Sequence, residues 1–399
     1  MLNLKRASLC LFLCAVVTMS GNPWLIGQGQ LAHSTSLPST ASLPEYTVSQ
    51  GSLFRNGVEI QLHGVNWFGF ETANHTTHGL SERNLDDMVN QMQEIGINAV
   101  RLPLCPASLH NASVSGINYS LNPDLAHLDS NGVLGMILGT LNKHGMYALL
   151  DHHTSDCKTI SPLWYTRTYS ETDWISDLTV MAQLSNRFPN VIGIDLKNEP
   201  HDIATWGTSH VETDWNSAAE RAGQAVLKTA PHLLVFIQGI SDTATCSIQK
   251  GNWWGSNLEP VSCAPLNPAF LPTSKVVLSP HLFGPDLDTP YYFRDPHFPN
   301  NLPQVWEAQF GFASTLGYTV VPGEWGGRYG SEGGNPRDVA WQNAFVSYLI
   351  SKGICSSFYW AWNPDSSDLG GILTHDWYTT WPGKVHLLNQ YWNQCRTAH

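Results

Sequence analysis

An alternation of short apolar segments with longer amphipathic ones begins near residue 60 and restricts the possible folds of this chain most strongly. The apolar segments predict eight strands, at 60–67, 99–103, 147–151, 191–196, 233–238, 276–280, 319–323 and 356–362. The amphipathic segments predict seven helices, at 81–95, 132–144, 172–187, 213–229, 302–316, 337–351 and 384–395. Mostly apolar strands joined by helices are typical of a parallel sheet that is buried on both faces. Eight such units within about 350 residues predict a (β/α)8 TIM barrel, an α/β fold.

A short β-hairpin is predicted before the barrel, because Asn56-Gly57 is a turn signal between the alternating segments of residues 53–60. A doubly wound sheet is the alternative architecture, but no glycine-rich phosphate-binding sequence follows the first strand. No internal repeat or second domain is apparent. We therefore divide the chain into a signal peptide (1–25), a disordered Ser/Thr/Pro-rich lead-in (26–44), one barrel domain (45–395) and a tail (396–399).

The composition and the N-terminus exclude several classes of protein. The chain has 399 residues, of which 42% are hydrophobic and 13% charged, so it can bury a large core. Its formal net charge of −12 disfavours nucleic acid and anionic membranes as partners. Lys5 and Arg6 precede an apolar run at 7–19, which is typical of a secretory signal and too short for a membrane span. We expect a secreted, extracellular monomer without a membrane span in its mature form.

Six cysteines remain once Cys10 and Cys14 are assigned to the signal peptide. An even number in an exported chain favours disulfides, although six cysteines allow 15 pairings. Locality favours Cys246–Cys263, which would close a long loop, and Cys355–Cys395, which would tie the C-terminus to a late strand. Cys105 and Cys157 then remain as the third pair. No Cys-x-x-Cys or Cys/His cluster argues for zinc instead.

Two glutamates follow apolar strands directly, and they are the first candidates for chemistry. Glu199 follows the strand at 191–196, and Glu324 follows the strand at 319–323. Burial at a strand end raises the pKa of a carboxyl, and a general acid that works at neutral pH needs a raised pKa. Two such carboxyls on one scaffold suggest the catalytic pair of a glycosidase.

Other polar and aromatic residues lie at the carboxyl ends of the predicted strands, where a barrel builds its active site. They are Arg101, His152, His153, Asn198, His281 and Trp360. One rim that supplies arginine, histidine, asparagine, two glutamates and tryptophan is hard to explain by stability alone. Adjacent strand residues point to opposite faces, so at most one of His152 and His153 enters the barrel mouth. The same geometry disfavours a metal site on this pair.

The motifs that contain these residues, spaced one strand apart, resemble glycoside hydrolase family 5, in particular its bacterial-type cellulase branch. They are GVNWFGFE (64–71), VRLP (100–103), DHH (151–153), NEPH (198–201), SPH (279–281), GEWG (323–326) and WAWNPD (360–365). The resemblance covers about residues 46–394 and implies a catalytic barrel that hydrolyses a β-glycoside with retention. In this family Glu199 matches the acid/base and Glu324 the nucleophile.

The resemblance also implies supporting roles for the other strand-end residues. Arg101 would keep Glu324 ionised by placing a fixed positive charge beside it. Asn198 matches the residue that bonds the sugar 2-hydroxyl, and the family pattern selects His153 rather than His152. His153 and His281 would bond the sugar and the glutamates, and Trp360 would form the floor under the sugar at the cleavage point. Trp164, Trp206, Trp253 and Trp254 are possible stacking surfaces for other sugar rings, with core packing as the alternative for each.

The chain departs from the family pattern at Phe283. The family usually has a tyrosine two residues after the strand-six histidine, and its hydroxyl bonds the nucleophile. We expect the loss of this donor to raise the pKa of the nucleophile and to lower the rate, unless Tyr291, Tyr292, Tyr329 or a water molecule replaces it.

The predicted function is that of a secreted endo-β-1,4-glucanase, a cellulase that acts on cellulose or a related β-glucan and needs no cofactor or metal. The same chemistry on mannan or another β-1,4 polymer is the nearest alternative. A carbohydrate-binding protein with weakened catalysis is an alternative of another class, and Phe283 favours it. A metal-dependent barrel hydrolase is less favoured, because no His-x-His follows the first strand.

Overall fold

In the computed structural model, which describes residues 43–397 except 244 and 332, three short antiparallel strands precede the barrel. They are β1 (Tyr46–Ser49), β2 (Ser52–Arg55) and β3 (Val58–Ile60). Asn56 and Gly57 join β2 to β3 with φ angles of 52° and 76°, which confirms the predicted hairpin and its turn. The predicted signal peptide, most of the lead-in and the last residues of the predicted tail lie outside the described residues.

Ten parallel segments form the barrel sheet. They are β4 (His63–Asn66), β5 (Ala99–Leu104), β6 (Tyr147–His152), β7 (Val191–Asp195), β8 (Leu234–Ile237), β9 (Val276–Leu278), β10 (His281–Phe283), β11 (Thr319–Val320), β12 (Glu324–Gly326) and β13 (Ser357–Tyr359). Hydrogen bonds connect them in the order β10-β12-β13-β4-β5-β6-β7-β8-β9-β11. Segments β9 and β10 are two halves of the predicted sixth strand, and β11 and β12 two halves of the seventh. The two ends of the order therefore adjoin, the ring closes, and the predicted (β/α)8 barrel is confirmed.

Prolines explain why the sixth and seventh strands are each divided. Pro280 separates β9 from β10, and Pro322 lies between β11 and β12. A proline has no N–H to donate to a neighbouring strand, so the ladder is interrupted at both places. The second halves then pair with each other, and His281 lies directly opposite Glu324 in the register. The interruption thus brings two candidate residues side by side at the mouth of the barrel.

Within the described part of the chain, eight α-helices surround or follow the strands. They are α1 (Leu85–Glu94), α2 (Pro106–Leu109), α3 (Ser130–Lys143), α4 (Glu171–Leu184), α5 (Trp215–Thr229), α6 (Leu302–Gln309), α7 (Pro336–Ser351) and α8 (Pro382–Thr397). All seven predicted helices are found. The first begins at residue 85 rather than 81, because the Asn84 side chain accepts the N–H groups of Asp86 and Asp87 as an N-cap. The predicted helix at 302–316 is divided, and a 3-10 turn follows α6 from Gly311, a poor helix former.

Two apolar clusters show which end of the barrel is closed. The larger one fills the layer between the strands and the surrounding helices. The smaller one joins inward residues of the strands, such as Leu149 and Phe358, to Tyr46, Val48 and Leu53 of the N-terminal strands. The N-terminal strands therefore close the lower end of the barrel, and the carboxyl ends of the strands remain open to a ligand.

Three disulfides join the cysteines of the described chain, and they are the predicted pairs. Cys105 is bonded to Cys157, and Cys246 is bonded to Cys263. Cys355 is bonded to Cys395 and ties α8 to the segment before β13. None of the helices in residues 43–397 has the length and apolar character that a membrane crossing requires.

Candidate active site

Arg101, fully buried on β5, occupies the centre of the barrel mouth. Its Nη1 donates to Glu324 Oε1 at 2.6 Å and to Asn66 Oδ1 at 2.8 Å. Its Nη2 donates to Asn198 Oδ1 at 2.9 Å, and its Nε donates to Asp195 Oδ2 at 3.1 Å. A planar guanidinium with five donors can fix four side chains at once, which lysine cannot do.

Two buried aspartates share this guanidinium and were not singled out from the sequence as site residues. Asp151 Oδ1 and Asp195 Oδ2 each lie 3.0 Å from Arg101 Nη2. Burial raises the pKa of both carboxyls to about 7, and the charge of Arg101 opposes this rise. The sequence held a signal for them, since a buried arginine needs counter-charges and both aspartates lie at the ends of apolar segments. The structure pairs Asp151 with Asp195 in the register.

Glu199 and Glu324 meet at His281, as their positions at the carboxyl ends of barrel strands predict. One carboxylate oxygen of each glutamate and a ring nitrogen of His281 lie within 4.8 Å of one another. His281 Nδ1 lies 3.2 Å from Glu199 Oε1 and 3.6 Å from Glu324 Oε2. All three side chains are buried. Their ligand atoms are close enough to hold one metal ion, but the guanidinium of Arg101, 2.6 Å from Glu324, opposes a cation there.

The two carboxyls differ in their surroundings. Burial raises the pKa of Glu199 to about 7, although the Trp253 indole N–H and the charge of Arg101 lower it. Burial also raises the pKa of Glu324, and the guanidinium of Arg101 opposes this rise while the charge of Glu199 adds to it. Since Arg101 bonds Glu324 directly, the first proton leaves Glu324, and Glu199 retains one near neutral pH.

Two tryptophans flank Glu199. The indole Nε1 of Trp253 donates to Glu199 Oε1 at 3.0 Å. Trp254 stacks on His201 with ring centroids 3.7 Å apart and an interplanar angle of 9°. Both indoles are partly exposed, so they remain candidates for contact with a ligand.

His152, the last residue of β6, and His153, which follows it, point to opposite sides of the strand, as the strand geometry predicts. His153 lies in the mouth, with Nδ1 2.7 Å from Asp151 Oδ2 and Nε2 3.4 Å from Asn198 Nδ2. Burial lowers the pKa of His153 to about 3, so its ring is neutral. His152 lies on the other side and contacts the Tyr169 hydroxyl at 2.9 Å.

Trp360 forms one wall of the mouth. Its partly exposed ring is nearly parallel to those of Phe68 and His153, with centroids 5.5 and 6.0 Å away. Its Nε1 donates to Ser366 Oγ at 3.2 Å, and a cis peptide joins it to Ala361. Packing and a hydrogen bond thus fix an aromatic face beside the carboxylates, an arrangement suited to the apolar face of a sugar ring.

The family model described as cellulase, glycosyl hydrolase family 5, matches residues 57–366. The chain belongs to glycosyl hydrolase family 5. Its sequence is 50% identical, over 84% of the chain and 69% of the relative, to the major extracellular endoglucanase of Xanthomonas campestris pv. campestris. It is 38% identical to an endoglucanase of Paenibacillus polymyxa, over 86% of the chain and 85% of the relative.

A solved structure is also similar to the chain over the whole barrel. It is a complex of a variant endocellulase from Pyrococcus horikoshii with cellotetraose. The two chains are 43% identical, the TM-score is 0.84, and the match covers 89% of this chain and all of the other.

The prediction that four tryptophans can stack on sugar rings is wrong for two of them, Trp164 and Trp206. Trp164 is fully buried in a core cluster with Trp174 and Trp215, and its Nε1 donates to Glu171. Trp206 is also fully buried, and its Nε1 donates to a backbone oxygen at 2.8 Å. Neither ring has a face free for a sugar, so core packing, the stated alternative, applies to both.

Phe283 lies where the family pattern predicts a tyrosine, so it offers no hydroxyl to Glu324, the predicted nucleophile. It is buried at the end of β10 and contacts Trp253 edge to face, with centroids 5.8 Å apart. The tyrosines considered as replacements bond elsewhere. Tyr292 donates to Gly251 O, Tyr329 to Asn343 Oδ1, and the Tyr291 hydroxyl contacts Gln249. Within residues 43–397, none of these three hydroxyls is bonded to Glu324.

Proposed function

We propose that this chain is a secreted, retaining endo-β-1,4-glucanase that hydrolyses cellulose or a related β-glucan by double displacement. The main support for the proposal is the short distance between Glu199 and Glu324. One carboxylate oxygen of each lies within 4.8 Å of the other, and both lie beside His281. Retaining glycosidases hold their two carboxyls about 5–5.5 Å apart, whereas inverting enzymes leave about 6.5–9.5 Å for a water molecule. The short separation favours direct attack by a carboxylate.

In the first step Glu324 forms a bond to the anomeric carbon while the bond to the leaving glycosidic oxygen breaks. Glu199 transfers its proton to that oxygen, which leaves as a hydroxyl of the departing sugar. The charges suit these roles, because Arg101 favours the ionised form of Glu324 and burial keeps the proton on Glu199.

In the second step water replaces Glu324 on the anomeric carbon. Esterified Glu324 has no charge, so the pKa of Glu199 falls and its carboxylate can accept a proton from water. The water oxygen bonds the anomeric carbon, Glu324 leaves as a carboxylate, and Glu199 has its proton back. The configuration at the anomeric carbon is inverted twice and is therefore retained.

The mouth offers contacts suited to a β-1,4-glucan. The Trp360 ring can lie under the sugar at the cleavage point, and Trp253 and Trp254 can contact the chain beyond it. Asn198 Oδ1 accepts from Arg101 and its Nδ2 contacts His153 Nε2, so the second N–H of Nδ2 can donate to a sugar 2-hydroxyl. The names of the two endoglucanase relatives and the cellotetraose complex of the Pyrococcus endocellulase support the same substrate class.

Secretion is part of the proposal. The N-terminal sequence has the charged and apolar segments of a signal peptide, and the Xanthomonas relative is named as extracellular. Three disulfides in the described chain suit an oxidising compartment.

A carbohydrate-binding protein with weakened catalysis is the second candidate, and Phe283 is the observation that favours it. Binding to cellulose without release of reducing ends by the wild type would support this alternative. A product profile on cellulose, mannan, xyloglucan and mixed-linkage glucan separates the glucanase from a mannanase of the same family. Loss of activity in excess EDTA would favour a metal-dependent hydrolase, whereas we expect no loss.

Alanine variants of the two glutamates test the proposal. Glu199→Ala and Glu324→Ala should each lower the release of reducing ends from carboxymethylcellulose by at least about 10³-fold, since each removes one reacting group. Glu307→Ala is the matched control, because Glu307 bonds Lys352 and Tyr348 on the outer helices. Hydrolysis at the wild-type rate by either active-site variant would contradict the mechanism.

A further inference from the structure

The backbone of Glu199 has a conformation that is unfavourable for a residue with a side chain. Its φ angle is +51°, in the left-handed region that residues with a side chain generally avoid. Such a conformation persists only where the surroundings impose it, and it is frequent at functional sites. Two side chains hold this residue from both sides. His201 Nδ1 donates to Glu199 O at 2.6 Å, and Gln238 Oε1 accepts the Glu199 N–H at 2.7 Å.

Gln238 connects this strained residue to the central charges of the site. It follows β8 and is fully buried, and its Nε2 donates to Asp195 Oδ2 at 2.9 Å. The same aspartate oxygen lies 3.0 Å from Arg101 Nη2. A continuous series of bonds therefore runs from Arg101 through Asp195 and Gln238 to the backbone of Glu199. The orientation of the Gln238 side-chain amide is unambiguous, because Oε1 accepts from an N–H and Nε2 donates to a carboxylate.

The loop that carries Trp253 and Trp254 packs tightly over Gln238. At Gly255 a Cβ atom would lie 2.8 Å from Gln238 Oε1 and 3.4 Å from Glu199 Cα. The Gly255 N–H also donates to Pro200 O at 3.3 Å. Gln238 is thus enclosed between β7 and this loop, and a rotation of its amide would break both of its bonds.

We propose that Gln238 is a positioning residue for the acid/base, which holds the Glu199 carboxyl at the distance that proton transfer to the leaving oxygen requires. The inference rests on the proposed function, which assigns this proton transfer to Glu199. Gln238 has no part in the attack by Glu324, because Arg101 bonds that carboxylate directly. Loss of Gln238 should therefore impair acid catalysis selectively.

A pair of substrates separates acid catalysis from other losses. Cleavage of cellotetraose needs a proton on the leaving oxygen, whereas 2,4-dinitrophenolate leaves from its β-cellobioside without one. The kcat/KM on each substrate reports the path up to the first irreversible step. The ratio of the two values thus measures how well Glu199 is positioned.

Gln238→Leu removes both bonds at similar volume. We expect kcat/KM on cellotetraose to fall by about 10²-fold, as for a small misplacement of a catalytic group, and the dinitrophenyl value to fall less than about threefold. Glu199→Gln should show the same pattern with a larger loss. Gln342→Leu is the matched control, because Gln342 is also a buried glutamine and its Nε2 bonds Asp338 at 2.6 Å on α7. This control should lower stability without changing the ratio.

Gln238→Glu keeps the test decisive if the leucine variant does not fold. The new carboxyl still accepts the Glu199 N–H, but it ionises beside Asp195 as the pH rises. When protonated, the new carboxyl can keep both bonds, because its O–H can donate to Asp195, so at low pH the cellotetraose-to-dinitrophenyl ratio should equal that of the wild type. Ionisation removes that donor and places a negative charge beside Glu199, so the pH at which the ratio falls should differ from that of the wild type. A ratio equal to that of the wild type at every pH, or an equal loss on both substrates in Gln238→Leu, would overturn the inference alone. A wild type that cleaves neither substrate would overturn the proposed function.

Discussion

Arg101 determines which carboxyls of the mouth can be ionised. The charge of the buried Lys197 acts on the two aspartates and on Glu199, whereas the guanidinium of Arg101 contacts Asp151, Asp195 and Glu324 directly. Glu199, farther from this charge, has a pKa raised by burial to about 7. The division of roles between the two glutamates therefore follows from their distance to one arginine.

The protonation of Glu199 predicts the pH dependence of activity. The acid/base must carry a proton in the free enzyme, so kcat/KM on cellotetraose should fall as the pH rises through about 7. The dinitrophenyl cellobioside needs no acid and serves as the control. The kcat/KM on this substrate should stay constant through the same pH range. An equal fall on both substrates would show that a group other than Glu199 causes the decrease.

Restoring the family hydroxyl at Phe283 should increase activity. A tyrosine at this buried position beside the nucleophile strand can donate to Glu324, and a hydrogen bond to a charged group contributes about 1.5–3 kcal/mol. We expect Phe283→Tyr to raise kcat about tenfold on cellotetraose. The acid limb of the pH profile should move to lower pH, because a donor stabilises the ionised nucleophile. Phe283→Leu adds no donor and should give neither effect; a gain in that variant would exclude this explanation.

The sequence predicts residues at strand ends better than residues in loops. Glu199 and Glu324 were predictable because the carboxyl ends of parallel strands meet at one rim, whatever the loops do. Trp164 and Trp206 were not, because the direction of a loop side chain depends on tertiary packing. Gln238 was not identified either, since its role exists only through its bonds to Asp195 and the backbone of Glu199.

At the scale of elements, the two divided strands show what the local pattern misses. The apolar segments at 276–280 and 319–323 predict continuous strands, and their positions in the barrel are correct. Pro280 and Pro322 interrupt the ladders, and pairing resumes one step further along, where β10 lies beside β12. The sequence contained these prolines, but the resumed pairing depends on a neighbouring strand that is 43 residues away, from His281 to Glu324.

The disulfide Cys246–Cys263 should link the stability of one loop to catalysis. It closes the loop that carries Trp253, over a sequence separation of 17. The double variant Cys246→Ser/Cys263→Ser should lose about 3 kcal/mol of unfolding free energy, the usual value for a loop of this length. It should also lose activity, because Trp253 bonds Glu199.

A second disulfide provides the matched control. Cys355–Cys395 has a separation of 40 and lies at the end of the chain, so its removal should lower stability at least as much and leave kcat unchanged. Denaturant unfolding and cellotetraose kinetics on both double variants check the prediction. Equal effects on kcat would contradict a specific role of the Trp253 loop.

At the scale of the whole molecule, each end of the barrel has a separate task. The N-terminal strands close the lower end with apolar side chains, and the upper end holds the buried charges. A formal net charge of −12 suits an uncharged polysaccharide better than an anionic polymer. This division was predictable, because a barrel places its chemistry at the carboxyl ends of the strands.

In the proposed mechanism Glu324 forms a covalent bond to the sugar, and Glu199 donates and then accepts the proton. Trapping with an activated 2-deoxy-2-fluoro-β-cellobioside tests it most directly, since the fluorine slows release of the intermediate more than its formation. Mass spectrometry of a proteolytic digest should locate one added fluorocellobiosyl group on Glu324 of the wild type and none in Glu324→Ala. A label on Glu199, or steady hydrolysis without any labelled peptide, would contradict this mechanism.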